Sequence, residues 1–151
     1  MDKLYEECLF SYHRIEDERT IMTGSPDNRI RVLVVSLPGM MQNVLRDTFI
    51  KRSDVDLVGV AGGCLSAARM VQQLIPDLVV IDSNLPEIET NQFILWLKQE
   101  SSSTRTLVLV ETTQQSNKAT DTGADIVLRS YSLGDHLDRV LEDLRSNSHD
   151  H

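Results

Sequence analysis

An α/β sandwich built on a five-stranded parallel sheet is the fold class this sequence predicts, on three observations. Short apolar runs alternate with segments of helical period from residue 29 to residue 146, the rhythm of βα units rather than of hairpins. The runs are continuous, as in Val32-Leu33-Val34-Val35 and Leu78-Val79-Val80-Ile81, so the strands read as covered on both faces. The second of these leads straight into Asp82 and then Ser83-Asn84-Leu85-Pro86. That order puts a carboxylate at the carboxyl edge of the sheet, where open α/β folds keep their ligand chemistry.

Residues 1–22 carry Leu4, Cys8, Leu9, Tyr12, Ile15 and Met22 near helical spacing, with acidic residues and arginine between them. This predicts an extra amphipathic helix whose apolar stripe must bury against the domain, a second copy or a partner. Thr23-Gly24-Ser25-Pro26-Asp27-Asn28 reads as a linker that closes an amino-terminal unit at residue 28. The first strand runs from Ile30 to Val35 and stops at Pro38-Gly39; the first helix of the domain runs from Met40 to Lys51, with Met41, Val44, Leu45, Thr48 and Phe49 inward. A strand at Val55–Ala61, a loop at Gly62-Gly63 and a helix at Leu65–Leu74 follow, the helix facing inward with Ala68, Met70 or Val71, and Leu74. Asp77–Asp82 is the third strand and Asn91–Lys98, with Phe93, Ile94, Trp96 and Leu97, the third helix. Thr106–Val110 and Asp125–Leu128 are the last strands, Ser116–Thr122 a short polar helix between them, and Leu133–Leu144 the final helix. Residues 29–146 thus form one doubly wound domain of the flavodoxin-like kind, and 147–151 a frayed tail.

Composition narrows the function classes. A net charge of −8 argues against nucleic acid as a partner, because such binding needs a basic footprint. No run of about 18 apolar residues occurs to span a bilayer, and the start lacks a basic n-region and an apolar h-region, so a cytoplasmic protein without membrane contact is expected. Cys8 and Cys64 lack the CxxC spacing of a zinc or redox site and read as small apolar residues. No GxGxxG or Walker pattern is present, and Ser36-Leu37-Pro38-Gly39 is a poor phosphate cradle for a nucleotide carrier. The Glu87, Glu89 pair reads as a solvated acidic loop. No nucleophilic triad is marked, and an enzyme is not expected.

From about Arg29 to Arg145 the chain resembles the receiver domain of two-component response regulators. The resemblance is carried by Val32-Leu33-Val34-Val35, by Pro76-Asp77-Leu78-Val79-Val80-Ile81-Asp82 followed by Leu85-Pro86, by Thr122-Gly123-Ala124-Asp125, and by the order of elements. It implies Asp82 as the candidate phosphoacceptor. A carboxylate attacking a phosphoanion needs a divalent cation to neutralise the repulsion, and the family places two acidic residues after the first strand to hold Mg²⁺, a Thr or Ser after the fourth strand, and a Lys after the fifth.

The sequence departs at each of these places. Ser36 and Leu37 replace the acidic pair, Glu111 takes the hydroxyl's place unless a register slip presents Thr112, and Arg129-Ser130 replaces Lys-Pro and removes its cis bond. A carboxylate at Glu111 would repel phosphate by about 1 kcal/mol or more. These departures predict an atypical receiver in which Arg129 pairs with Asp82, Glu111 or both and freezes the loops, with no metal and no cofactor. Its function is then that of a stand-alone interaction module, using Tyr131 as an aromatic on the switch face or a half-buried loop anchor, or the stripe Leu4, Cys8, Tyr12 and Ile15. The alternative is a phosphoacceptor that uses Mg²⁺ and a histidine kinase. The resemblance implies a protein partner, a kinase or a downstream regulator, and a second copy of the chain is a further candidate.

Overall fold

The structure, a computed structural model, describes residues 29–148. The stripe Leu4, Cys8, Tyr12 and Ile15 lies outside the described residues, as do 149–151.

Five parallel strands, β1 (Ile30–Val35), β2 (Val55–Ala61), β3 (Leu78–Ile81), β4 (Arg105–Val110) and β5 (Ile126–Arg129), lie in the order β2-β1-β3-β4-β5. Helices α1 (Met40–Ile50), α2 (Cys64–Leu74), α3 (Glu87–Glu100), α4 (Thr113–Thr122) and α5 (Leu133–Ser148) connect or follow them, with a 3₁₀ turn at Ser130–Ser132. Alternate strand residues feed two cores. Val32, Val34, Val80 and Leu109 pack with Leu45 and Phe49 of α1 and Leu141 of α5. Leu33, Val35, Ile81 and Val110 pack with residues of α2, α3 and α4, including Phe93 stacked on Trp96 at a centroid distance of 5.9 Å. Both sheet faces are therefore covered, which is why the central strand β3 is apolar throughout and β1 nearly so. The chain leaves β1 toward β2 on one side and returns to β3 on the other, so the carboxyl ends of β1 and β3 meet at the point where strand order reverses.

Several expected boundaries move, each for a local reason. α3 begins at Glu87 rather than Asn91: Pro86 precedes it, and Glu87 and Glu89, expected in a solvated loop, stand in its first turn, where carboxylates favour the helix dipole. α4 begins at Thr113 rather than Ser116 because Thr112 and Gln115 form a reciprocal capping box. α5 runs on to Ser148, past the expected end at Leu144 and into the segment expected to fray; Arg145 Nη2 donates to Asp54 Oδ2 at 2.6 Å and fixes the added turn. Val44, expected inward, is 50% exposed. Leu45 and Phe49 make the inward face of α1, and Val44 lies about 100° around the helix from Leu45. In α2, Cys64, Ala67, Ala68 and Val71 are the buried residues, with Met70 and Leu74 half-buried. Cys64 is a free, buried thiol, pushed up to about 11 by burial.

Two features carry measurable consequences. Gly123 caps α4 in the left-handed region, at φ 110°, and a Cβ there would collide with the side chain of Lys98. Gly123→Ala is expected to cost about 1–2 kcal/mol, read as a lower urea midpoint, with part of the loss recovered in a Lys98→Ala background. At the other end of the sheet Arg52 is bidentate to Asp54 at 3.0 and 3.0 Å and also donates to Asp138 at 2.7 Å. The Arg52 hydrogen bonds hold the Asp54 carboxyl below its usual range. A carboxylate with a depressed folded pKa adds stability that is present above its unfolded value and lost as pH falls through the folded one. Wild type should therefore lose stability below about pH 4 more steeply than Asp54→Asn, as urea melts over that range would show.

Candidate functional site

Asp82 follows β3 directly. Its N–H donates to the Val35 carbonyl at 2.9 Å, which locks the loop after β3 onto the end of β1. The same contact carries its side chain inward, and the residue is 2% exposed. A carboxylate buried to that degree needs its oxygens satisfied. Ser36, fully buried one residue past β1, donates from Oγ to Asp82 Oδ2 at 2.9 Å, and the Ser83 N–H donates to Oδ1 at 2.7 Å. Ser36 is itself held: its N–H reaches the Ala61 carbonyl at 3.0 Å, and Gln42 Nε2 donates to its carbonyl at 2.8 Å.

The expected ion pair between Arg129 and Asp82 does not form, nor does one with the Glu111 carboxylate. Arg129 ends β5, paired in register with Val110 at the end of β4. Its guanidinium donates to the Glu111 main-chain carbonyl at 2.8 Å and to Thr113 Oγ1 at 2.9 Å. Two causes act together: Asp82 already has two donors, and β5 stands two strands from β3, about 10 Å away. Arg129 thus clamps the β4–α4 turn instead of neutralising the acid. The Glu111 carboxylate accepts from Ser83 Oγ at 3.1 Å, so it faces the loop after β3 across the carboxyl edge.

The register alternative that would present Thr112 to the site is also excluded, because Thr112 Oγ1 accepts from the Gln115 N–H at 3.1 Å as the cap of α4. Gln115 Oε1 in turn accepts from the N–H groups of Glu111 at 2.7 Å and Thr112 at 3.3 Å. No peptide bond among the described residues is cis. Tyr131, 85% exposed in the 3₁₀ turn, is not a half-buried anchor. Leu37 is 37% exposed and stands at the same edge. Two motif acids are structural: Asp77 accepts from the Arg31 N–H and Asp125 from the Thr106 N–H, each at 2.9 Å, at the opposite edge of the sheet.

A recess of about 50 Å³ opens beside the acid, lined in part by Asp82, Leu85, Thr90, Gln115 and Ala119. Lys118 and Glu87, 2.7 Å apart, bridge α4 to α3, and Thr122 donates to Asn91 at 3.2 Å farther along. The recess is several times smaller than the roughly 300 Å³ at which small-ligand sites begin. Among the described residues no group of three or more His, Cys, Asp or Glu could hold a metal ion. A magnesium site needs several hard oxygen donors, chiefly carboxylates. Ser36 and Leu37 bring no carboxylate to stand beside Asp82.

Ser83, Gln115, Thr113 and Gln42 were not picked out as site residues from the sequence. The T-x-x-Q spacing of Thr112 and Gln115 was a readable signal; the reach of Ser83 to Glu111 had none.

No protein-family model matches the chain. It is 30% identical over 105 residues to protein-glutamate methylesterase/protein-glutamine glutaminase 1 of Methanospirillum hungatei, an alignment covering 70% of this chain and 29% of that protein. It is 24% identical over 106 residues to the corresponding protein of Thiobacillus denitrificans, covering 70% and 28%. The chain therefore spans under a third of the length of these relatives. Among solved structures it is similar to the response regulator domain of Thermotoga maritima CheB, with a TM-score of 0.64, 24% identity and coverage of 78% of this chain and 95% of that one. A CheY-like response regulator receiver domain protein from Methanospirillum hungatei matches with a TM-score of 0.66 at 14% identity, covering 82% and 99%.

Proposed function

From the premise that this domain has the fold of a response-regulator receiver, we propose that it acts as a signalling interaction module that does not depend on magnesium-assisted phosphoryl transfer. The observation that carries this reading is the state of Asp82: both its oxygens are engaged, by Ser36 and by the Ser83 N–H, and the two positions after β1 bring no carboxylate to hold a cation. A phosphoanion approaching this edge would meet Asp82 and Glu111 together, with Arg129 turned to the Glu111 carbonyl. Without a metal, nothing offsets that repulsion.

An interaction module works by shape, and here the shape is fixed by hydrogen bonds that a partner can rely on. Tyr131, wholly outward on the turn into α5, and Leu37 and Met40, exposed at the site edge, are the groups that would meet a protein partner. The reading takes the chain as an amino-terminal unit of residues 1–28 and a receiver domain, without catalysis of its own, working in the cytoplasm. No helix among the described residues is long and apolar enough to cross a membrane. The esterase and glutaminase names belong to proteins of which this chain covers under a third.

The second reading, a phosphoacceptor served by a histidine kinase, rests on Asp82 standing at the carboxyl end of β3 at the strand-order reversal. Acetyl phosphate with Mg²⁺, followed by intact-mass spectrometry, separates the two. No phosphoryl adduct is expected. An adduct that forms on wild type and not on Asp82→Asn would replace the first reading with the second.

A further inference from the structure

We propose that the recess beside Asp82 receives the ammonium end of a lysine presented by a protein partner, so that the cation of this carboxylate edge comes from outside the domain. The proposal rests on the reading of the domain as an interaction module that works without magnesium-assisted phosphoryl transfer, and it states what such a partner must carry.

Three observations meet at the recess. The first is the state of the acid. Asp82 is 2% exposed, and a buried carboxylate is stable where a cation or a full set of hydrogen bonds answers its charge. Its oxygens offer about four acceptor positions between them. Ser36 Oγ and the Ser83 N–H fill two of these, and both are neutral donors. Two cations at this edge are committed elsewhere: Arg129 to the Glu111 carbonyl and Thr113, and Lys118 to Glu87 at 2.7 Å. Among the described residues no cationic side chain pairs with Asp82.

The second is shape. The recess measures about 50 Å³, and one water-sized group takes about 10–15 Å³ by that measure. It therefore holds a few non-hydrogen atoms, an ammonium with the methylenes next to it. Leu85, Val108, Val110 and Ala119 give it an apolar lining, with Asp82 and Thr90 as polar members. The Thr90 hydroxyl donates its hydrogen to the Pro86 carbonyl at 3.0 Å, which leaves its oxygen able to accept. A lysine has the matching form, an apolar stem and a compact head with three donors. The planar fork of an arginine is matched less well, because it binds a carboxylate through both oxygens at once and each oxygen of Asp82 is already engaged.

The third is the field at the edge. Glu111 accepts from Ser83 Oγ at 3.1 Å, and Ser83 itself lines the recess, so a second carboxylate stands at the approach to the first. Glu87 and Lys118, ion-paired at the rim, cancel each other. What remains is Asp82 and Glu111, and the two charges that repel a phosphoanion attract an ammonium. A net charge of −8 over the whole chain steers a cationic partner in the same sense.

The test titrates the full chain with a blocked glycine peptide carrying a single central lysine, at constant ionic strength, and follows amide NMR shifts. The same peptide with its lysine acetylated is the control. Saturable shifts at the amides of Ser83, Leu85 and Ala119 are expected, half-complete on the order of 10 mM. They should be absent with the acetylated peptide, lost in Asp82→Asn and weakened about threefold in Glu111→Gln. No saturable shift, equal shifts with the acetylated peptide, or shifts that survive Asp82→Asn would overturn the proposal. So would shifts at the same amides that appear on concentrating the protein alone, which would assign the recess to a second copy. Mg²⁺ in place of the peptide checks the underlying reading separately. Silence with both overturns this proposal alone, whereas saturable Mg²⁺ shifts at Ser83 that Asp82→Asn removes overturn the magnesium-independent reading with it.

Discussion

Placing carboxylates at both positions after β1, through Ser36→Asp with Leu37→Asp, is expected to make the stability of the protein depend on Mg²⁺. Ser36 is fully buried and in hydrogen-bond contact with Asp82. A carboxylate in its place would put two like charges within about 4 Å of each other, a repulsion of up to about 4 kcal/mol at an effective dielectric near 20. Leu37 is more than a third exposed, so a charge there is better screened and adds less. In EDTA the double variant should lose on the order of 3 kcal/mol, a drop in Tm of roughly 10 °C for a domain of this size. A divalent cation supplies what three clustered carboxylates need and should restore most of that loss. Wild type should melt at the same temperature in either buffer. If the double variant ignores Mg²⁺, or wild type gains from it, the missing acids are not what excludes the metal.

Ser36→Ala is the second large effect, expected to cost about 2–3 kcal/mol. The hydroxyl gives one of two hydrogen bonds to a buried carboxylate, and removing a donor from a charged acceptor leaves its desolvation uncompensated. Asp82→Asn should cost less, since an amide oxygen still accepts from one donor and carries no charge to desolvate. Combining the two in a double-mutant cycle should show a coupling of about 1 kcal/mol or more. Additive losses in urea melts would mean that Ser36 and Asp82 act on stability independently, which the 2.9 Å contact does not allow.

The sheet was readable because its signal is redundant. Short apolar runs, unbroken at Val32–Val35 and Leu78–Ile81 and bounded by turn residues, leave few alternatives for Val32 or Val80 once both faces of the strands must be covered. Helix starts were less readable because they depend on single side chains. Glu87 and Glu89 look the same in a solvated loop and in a first turn until Pro86 is seen to initiate α3. At the site, residue identity gave position without partner. The sequence placed Asp82 at the end of the third strand and Arg129 at the end of the fifth, but not the β4 strand that lies between them. It could not tell that a neutral serine would supply the donor expected from the arginine, because that depends on Ser36 turning inward under the Gln42 and Ala61 contacts. Arg129 was misassigned for the same reason: a main-chain carbonyl such as that of Glu111 leaves no trace in composition.

The clamp on the β4–α4 turn bears on how many shapes this protein can sample. A switching domain keeps a second arrangement within a few kcal/mol so that a small input can exchange one population for the other. Here the turn would have to release the Thr112–Gln115 cap, worth about 1 kcal/mol, and two Arg129 hydrogen bonds, each worth about 1 kcal/mol. At a tenfold change per 1.4 kcal/mol, a second arrangement that recovered none of these would be held by fewer than about one molecule in a hundred. Arg129→Ala should raise that fraction some thirtyfold, making the residue the point at which the population of a second arrangement of this turn is set.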